Sequence, residues 1–192
     1  TLALSQSSSS GSCDALFIVS LGSTYATASA PVVKGQFNHL YFEYNAQASS
    51  SSLAIYRDLE LASPPTDFVI FDDLNFSSAD LLIGSGSSHT AGTYTFVPQQ
   101  QLSGALDELR FFHDTRSTAD LDYNWKKEIY TTSPLKLYFK FNEPTGSYAA
   151  SDVVLDYSGN SLHSYITSYN NTLRAGAGIK NPMIAEDPER CP

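Results

Sequence analysis

Positive charge is what this chain most lacks. Eleven Lys and Arg stand against 20 Asp and Glu, a formal net charge of −9. No basic stripe is therefore available to neutralise phosphates, which makes nucleic acid and anionic membranes poor partners and a neutral or cationic partner a better one. Charged residues of either sign make up only 16% of the chain, and the scarcity of Lys and Glu removes residues that favour exposed helices. No apolar run reaches bilayer-spanning length, and membrane insertion is not expected. The chain opens on Thr1 with no signal peptide, which predicts a processed product or a piece of something longer.

Cysteine is nearly absent. Cys13 and Cys191 are the only two, and neither has the spacing of a zinc site. Two free thiols is the simpler reading, with a disulfide joining the two ends as the other; the redox compartment stays open. A Gly-x-Ser-x-Gly nucleophile elbow is missing, and His39, His89, His113 and His163 have neither metal spacing nor an obvious nucleophile beside them.

What is present reads as β-structure. The 192 residues, 42% hydrophobic and 12% aromatic, suffice for one sizeable core. Residues 2–4 start as a strand, a Ser/Gly run at 5–12 makes a hairpin loop, and residues 15–21 resume as a strand so apolar that both faces should be covered. Residues 36–44 alternate as a third strand, with Leu40, Phe42 and Tyr44 opposite Tyr41 and Glu43. Residues 53–61 follow as a fourth, ended by Pro64-Pro65. Further on, Gly104 leads into a strand over 106–112, with Asp107, Leu109 and Phe111 on one face and Leu106, Glu108, Arg110 and Phe112 on the other. Ser117-Thr118-Ala119-Asp120 then predicts a capped helix with Leu121, Trp125 and Ile129 as its apolar stripe and Lys126 and Lys127 near its C-terminal end.

The stretch Gly104-Ala105-Leu106-Asp107-Glu108-Leu109-Arg110 resembles the closing strand of laminin-G-like jelly-roll domains, in the concanavalin A-like lectin and glucanase superfamily. Phe37-Asn38-His39-Leu40, Leu53-Ala54-Ile55-Tyr56-Arg57-Asp58 and Leu81-Leu82-Ile83-Gly84 stand, in that order, where earlier motifs of that family would lie. Phe37 replaces the family's usual Trp. Leu59 replaces the Gly of its turn, so the hairpin after Asp58 is expected not to be the usual tight one. The implied fold is an all-β, two-sheet antiparallel jelly-roll sandwich with one short helix.

Past Pro134 the sequence begins again. Leu135, Leu137, Phe139 and Phe141 alternate with Lys136, Tyr138 and Lys140, and Asp156-Tyr157-Ser158-Gly159-Asn160-Ser161-Leu162-His163 follows. Both resemble the opening of a domain of the same family. The organisation expected is a body over residues 1–130 and an opening strand and turn over 131–192. That second part either closes the same sandwich as a circular permutation, the favoured arrangement, or starts a second repeat.

The family's glucanases carry acid and nucleophile in a Glu-x-Asp-x-x-Glu pattern, which this chain lacks. Asp107 and Glu108 are adjacent, so on a strand they point to opposite faces. No catalytic residue is assigned and no enzyme activity is expected. Calcium is the one cofactor the resemblance implies, since relatives of that family often hold it with oxygen ligands from loops at the sandwich rim: here Asp72, Asp73, Asn75 and Asp80 crowd one loop and Asp156, Ser158 and Asn160 alternate in another. Ordinary turns bonded by Asp and Asn side chains account for the same residues and are the preferred reading. Sugar binding would need an aromatic platform with amide and carboxylate partners, for which Tyr25, Tyr94, Tyr148 and Tyr165 are available. Asn75-Phe76-Ser77 and Asn170-Asn171-Thr172 match the glycosylation pattern, relevant on a eukaryotic secretory route.

The resemblance implies a non-enzymatic structural or adhesion domain of a virion or extracellular surface assembly. Its partners would be other subunits of a particle, fibre or matrix, with glycans as further ligands. A calcium-assisted carbohydrate-binding lectin or matrix module of a secreted protein is the alternative.

Overall fold

A computed structural model describes residues 1–5, 12–21, 24–46, 51–68, 81, 83, 88–91, 94–97, 106–142 and 152–166. The described chain is mostly antiparallel β-structure with one helix. It divides into two compact units, Thr1–Ser103 and Gly104–Pro192. The boundary expected at residues 130/131 thus lies inside the second unit.

In the first unit, β1 (Leu2–Ser5), β2 (Ser12–Leu21) and β3 (Thr24–Val33) form one antiparallel sheet in that order. The β1–β2 pairing, Leu2 against Phe17 through Ser5 against Asp14, is the hairpin expected around the Ser-rich run. Both faces of β2 are covered: Ile18 is 1% exposed on one side, and Ala15 is buried with Phe17 and Val19 half-buried on the other. Strand β3 was not expected. Its inward positions are Ala26, Ala28, Ala30 and Val32, and alanine between serine and threonine gives too little hydrophobic contrast to mark a strand.

A second antiparallel sheet consists of β4 (Leu40–Ala46), β5 (Ser51–Arg57) and β6 (Glu60–Phe68). Ala28 and Ala30 of β3 and Leu53 and Ile55 of β5 make one core cluster, flanked by Phe17, Val19, Phe42, Tyr44 and Ala62. The two sheets therefore share a core, with Phe17 and Phe42 meeting edge to face at 5.7 Å. Arg57 adds a polar link, donating from Nη1 to the Pro31 carbonyl at 2.6 Å. A short hairpin, β7 (His89–Ala91) with β8 (Tyr94–Phe96), completes the described strands of this unit.

Several sequence expectations need correction here. The third strand starts at Leu40 rather than residue 36, because the Asn38 side chain captures the preceding turn: its Oδ1 accepts from Val33 N, and its Nδ2 donates to the Val33 and Gln36 carbonyls. The fourth strand is two strands, folded at Asp58-Leu59. Arg57 pairs with Glu60, so the loop has two residues, and both have positive φ, 50° and 73°. That is the left-handed geometry of a tight hairpin, reached without the glycine that usually supplies it. Pro64-Pro65 does not end the run. Ser63 pairs with Ile55 and Thr66 with Leu53, leaving the two prolines opposite Ala54 as a bulge on a border strand, where no ladder donor is demanded of them. Of Leu81-Leu82-Ile83-Gly84, the described Leu81 and Ile83 lie outside strands and are exposed.

In the second unit, β9 (Leu109–Phe112) pairs antiparallel with β10 (Leu135–Phe139), across a bulge at Lys136. The extended run expected from residue 106 begins at Leu109 because Glu108 has φ 54°. Phe139 bridges to Asp156, and β11 (Val153–Val154) pairs with β12 (Ser164–Tyr165). Leu137, Phe139 and Val154 form the core, with Leu109, Phe141 and Ile166 packed on it. Helix α1 (Thr118–Asn124) follows β9. Ser117 caps it as expected, accepting from Asp120 N at 3.1 Å while its hydroxyl donates to Asp120 Oδ2 at 2.7 Å. The helix ends at Asn124, before the expected stripe is complete, and Trp125 is its C-cap. It is too short to cross a membrane.

Candidate functional site

The turn that follows β10 is built around one carboxylate. Asp156, 8% exposed, accepts four hydrogen bonds: Tyr138 N (3.0 Å) and Ser158 N (2.9 Å) at Oδ1, and Ser158 Oγ (2.8 Å) and Leu162 N (3.0 Å) at Oδ2. Its own amide donates to His163 Nδ1 at 3.0 Å. Asn160 Nδ2 donates to the Leu135 and Lys136 carbonyls, both at 3.1 Å, and Tyr157 N donates to the Tyr138 carbonyl at 2.8 Å. Gly159, at φ 88°, closes the turn where a Cβ would come within 2.9 Å of Thr131 Cγ2. Burial alone would raise the Asp156 pKa, but donation from Leu162, Ser158 and Tyr138 outweighs it and holds the carboxyl below its usual value. An oxygen pair saturated by backbone donors anchors a strand, and Asp156, Ser158 and Asn160 form a turn here rather than a cation cage.

The signature stretch makes a second cluster. Arg110 Nη2 donates to Glu108 Oε2 at 2.7 Å, and the Tyr138 hydroxyl donates to that same oxygen. Arg110 also donates to the Asn124 carbonyl at 2.9 Å and to the Lys127 carbonyl, and lies 5.0 Å from the centre of the Tyr138 ring. The cation at the end of α1 is therefore Arg110, from a strand remote in sequence, and not the expected Lys126 and Lys127. Those two lie over aromatic rings, Lys126 on Trp125 and Lys127 on Tyr123.

By alternation Tyr138 shares the polar face of β10 with Lys136 and Lys140, yet it is fully buried. Burial, then its bond to Glu108, raises its hydroxyl pKa. Among the described residues, Glu108 Oε1 and Arg110 Nε of this cluster have no hydrogen-bond partner. Burial, then the Glu108 charge, pushes Asp107 up to about 6. The interlocking of Glu108, Arg110 and Tyr138 escaped sequence reasoning; the signal for it was a Tyr between two Lys on an otherwise alternating strand.

The side chains of His113 and His163 both meet backbone groups. His113 N and Nδ1 both lie within 3.1 Å of the Pro134 carbonyl, and His163 Nδ1 accepts the Asp156 amide. The backbone of His39 clamps the Asp58 turn, its amide donating to Asp58 Oδ1 and its carbonyl accepting from Asp58 N, both at 2.9 Å. Asp72, Asp73, Asn75 and Asp80, the loop suggested for calcium, lie outside the described residues, as does Cys191. Among the described residues, no group of three or more His, Cys, Asp or Glu is placed to hold a metal ion.

A third set lies on the face of the β4–β6 sheet opposite its core. Phe42 and Tyr44 pack inward with Leu53 and Ile55, so Tyr41, Glu43 and Asn45 alternate outward, registered against Tyr56, Ala54 and Ser52. The Tyr41 and Tyr56 rings meet at 5.6 Å, tilted by 46°. Tyr41 donates to Glu43 Oε2 at 3.1 Å. Burial, then the Glu43 charge, raises the Tyr56 hydroxyl pKa. No family model, curated protein or solved structure matches the chain.

Proposed function

We propose that this chain is a non-enzymatic structural or adhesion module, built as a laminin-G-like jelly-roll sandwich, that serves a virion or extracellular surface assembly and can engage glycans. The step from fold to function is analogy. One observation carries it: among the described residues, the buried carboxylates of Asp156 and Glu108 are engaged in holding strands and turns together. Asp156 is filled by four donors. Glu108 Oε2 is bonded by Arg110 and Tyr138. Glycoside hydrolysis would instead call for two carboxyls flanking the scissile bond at about 5 to 10 Å. The motif resemblance over residues 37–110 and the antiparallel two-sheet core around Leu53 and Ile55 support the same reading.

Sedimentation velocity across a concentration series, paired with a glycan array run with and without chelator, tests it. Ordered self-association, with any glycan binding insensitive to chelator, is the expected result. A monomer at all concentrations with chelator-sensitive glycan binding would replace the proposal with a calcium-assisted lectin. Hydrolysis of a glycan probe would replace both.

A further inference from the structure

Strand β1 borders its sheet with two leucines that its neighbours only half cover. Thr1 and Ile18 exchange both backbone bonds, the Thr1 amino group donating to the Ile18 carbonyl at 2.6 Å and Ile18 N donating to the Thr1 carbonyl at 2.9 Å. Antiparallel alternation from that pair turns the backbone groups of Ala3 and Ser5 toward β2 and those of Leu2 and Leu4 away from it. No described strand lies on that side. The Leu2 and Leu4 side chains stand opposite Phe17 and Ala15, on the core face of the sheet, yet they are 54% and 51% exposed. Along β1 the core face thus ends in uncovered apolar surface beside a row of outward N–H and C=O groups.

We propose that this border joins a second copy of the chain, with β1 pairing antiparallel to its counterpart about a twofold axis at Ala3. The proposal rests on the self-association that the function above expects, and names the surface that carries it. In this register Leu2 stands opposite Leu4 of the second copy and Leu4 opposite its Leu2, so the outward N–H and C=O of both residues are bonded at once. Directly opposed residues share a face, so the leucines of the two copies gather on the core side and cover what each alone leaves exposed. The two three-stranded sheets become one continuous sheet.

Charge selects both the border and the occupant. A chain of net charge −9 repels its own copies, and contact is least opposed where carboxylates are absent. Residues 1–13 carry no charged side chain, and Asp14 is the only acid before Glu43. Asp14 is registered against Ser5, on the face opposite the leucines. Glu43, by contrast, sits within β4, a border of the other sheet. An acidic or basic partner would find no counter-charge in the β1 side chains, whereas a copy of β1 matches it in length, pattern and charge. One four-residue strand falls short of the ~800 Å² per partner of a standard stable interface, so the dimer is weak and concentration-dependent.

Sedimentation velocity between about 10 μM and about 500 μM tests the site, on the whole chain and on Leu4→Pro, Leu4→Lys and Leu61→Lys, each checked for unchanged circular dichroism. Leu4→Pro removes an outward N–H and leaves the bonds to β2 in place. Leu4→Lys sets a charge in the leucine contact, and Leu61→Lys adds the same charge at an exposed position of β6. A weak dimer is expected of the whole chain and of Leu61→Lys, with association about tenfold weaker or more in both Leu4 variants. Register is read separately. The twofold brings the Ala3 Cα atoms of the two copies to about 4.5 Å, so Ala3→Cys, combined with Cys13→Ser and Cys191→Ser, should give a disulfide-linked dimer on oxidation. Equal self-association in all the proteins, or no cross-link at Ala3→Cys, would overturn this interface and leave the self-association to another surface. A whole chain that stays monomeric throughout would remove both the interface and the self-association. Should Leu4→Pro fail to fold, Leu4→Lys and Ala3→Cys still decide the question.

Discussion

Asp156 Oδ1 accepts the amide of Tyr138 at 3.0 Å across 18 residues of chain, in the buried interior of the second unit. The turn thereby acts as a clip on β10, and the same oxygen holds Ser158 N at 2.9 Å. Replacing Asp156 with Ala strands the amides of Tyr138, Ser158 and Leu162, so a loss of about 3 kcal/mol or more is expected in urea unfolding. Asp152→Ala, at an exposed position near the start of β11, should stay within about 0.5 kcal/mol. Equal effects of the two would show that the clip contributes nothing.

Two carboxyls of the second unit have opposite pH dependence. The Asp107 pKa is raised to about 6 by burial and then by Glu108, so the folded form binds its proton before the unfolded form does. Its contribution therefore grows as pH falls from about 7 toward 4. Asp156 is held below its usual value by backbone donors, so its contribution is present above the unfolded carboxylate range and is lost as pH falls below about 4. Denaturation midpoints measured from pH 7 to pH 3 should rise and then fall. Asp107→Asn should remove the rise and keep the fall.

Arg110 joins three elements at once: the carboxylate of Glu108, the Asn124 carbonyl and the Lys127 carbonyl. With side chains only 11% and 12% exposed, the pair leaves a buried charge behind when one partner is removed. Arg110→Met is expected to cost about 3 to 5 kcal/mol. Arg110→Lys recovers little of that, since an ammonium cannot span the fork. Full rescue by lysine, read by thermal melting, would contradict the geometry.

The hairpin at Asp58-Leu59 predicts a gain. Leu59 holds φ at 73°, a conformation that costs a branched side chain about 1 to 2 kcal/mol and glycine almost nothing. Leu59→Gly should stabilise the first unit by about 0.5 to 1 kcal/mol after the glycine's added freedom in the unfolded chain is offset. A loss of stability in the same melt would mean that the half-buried Leu59 side chain outweighs the strain.

That hairpin also shows where sequence reasoning succeeds and where it stops. Strong alternation carried the strands of Phe42, Leu53, Ile55, Leu137 and Phe139, and local polar signals carried the Ser117 cap. The Ala-lined β3 escaped because its inward residues barely differ in hydrophobicity from their neighbours. Leu59 misled because a turn was judged by residue preference, whereas β5 and β6 pair closely enough to impose a left-handed turn on an unfavourable residue. Tyr138, Arg110 and the Tyr41–Glu43–Tyr56 face depend on pairings between remote segments, and no window along the chain contains both partners.

Proline placement gives the two sheets of the first unit one-way borders. Pro31 deprives β3 of an amide, and Pro64 and Pro65 deprive β6 of two, whereas β1 and β4, at the other borders of the described sheets, have no proline. Among the described border strands, β3 and β6 therefore offer an interrupted row of donors to any further extended chain laid alongside. Edge-to-edge growth through both flanks of either sheet is thereby opposed, because one flank of each carries proline.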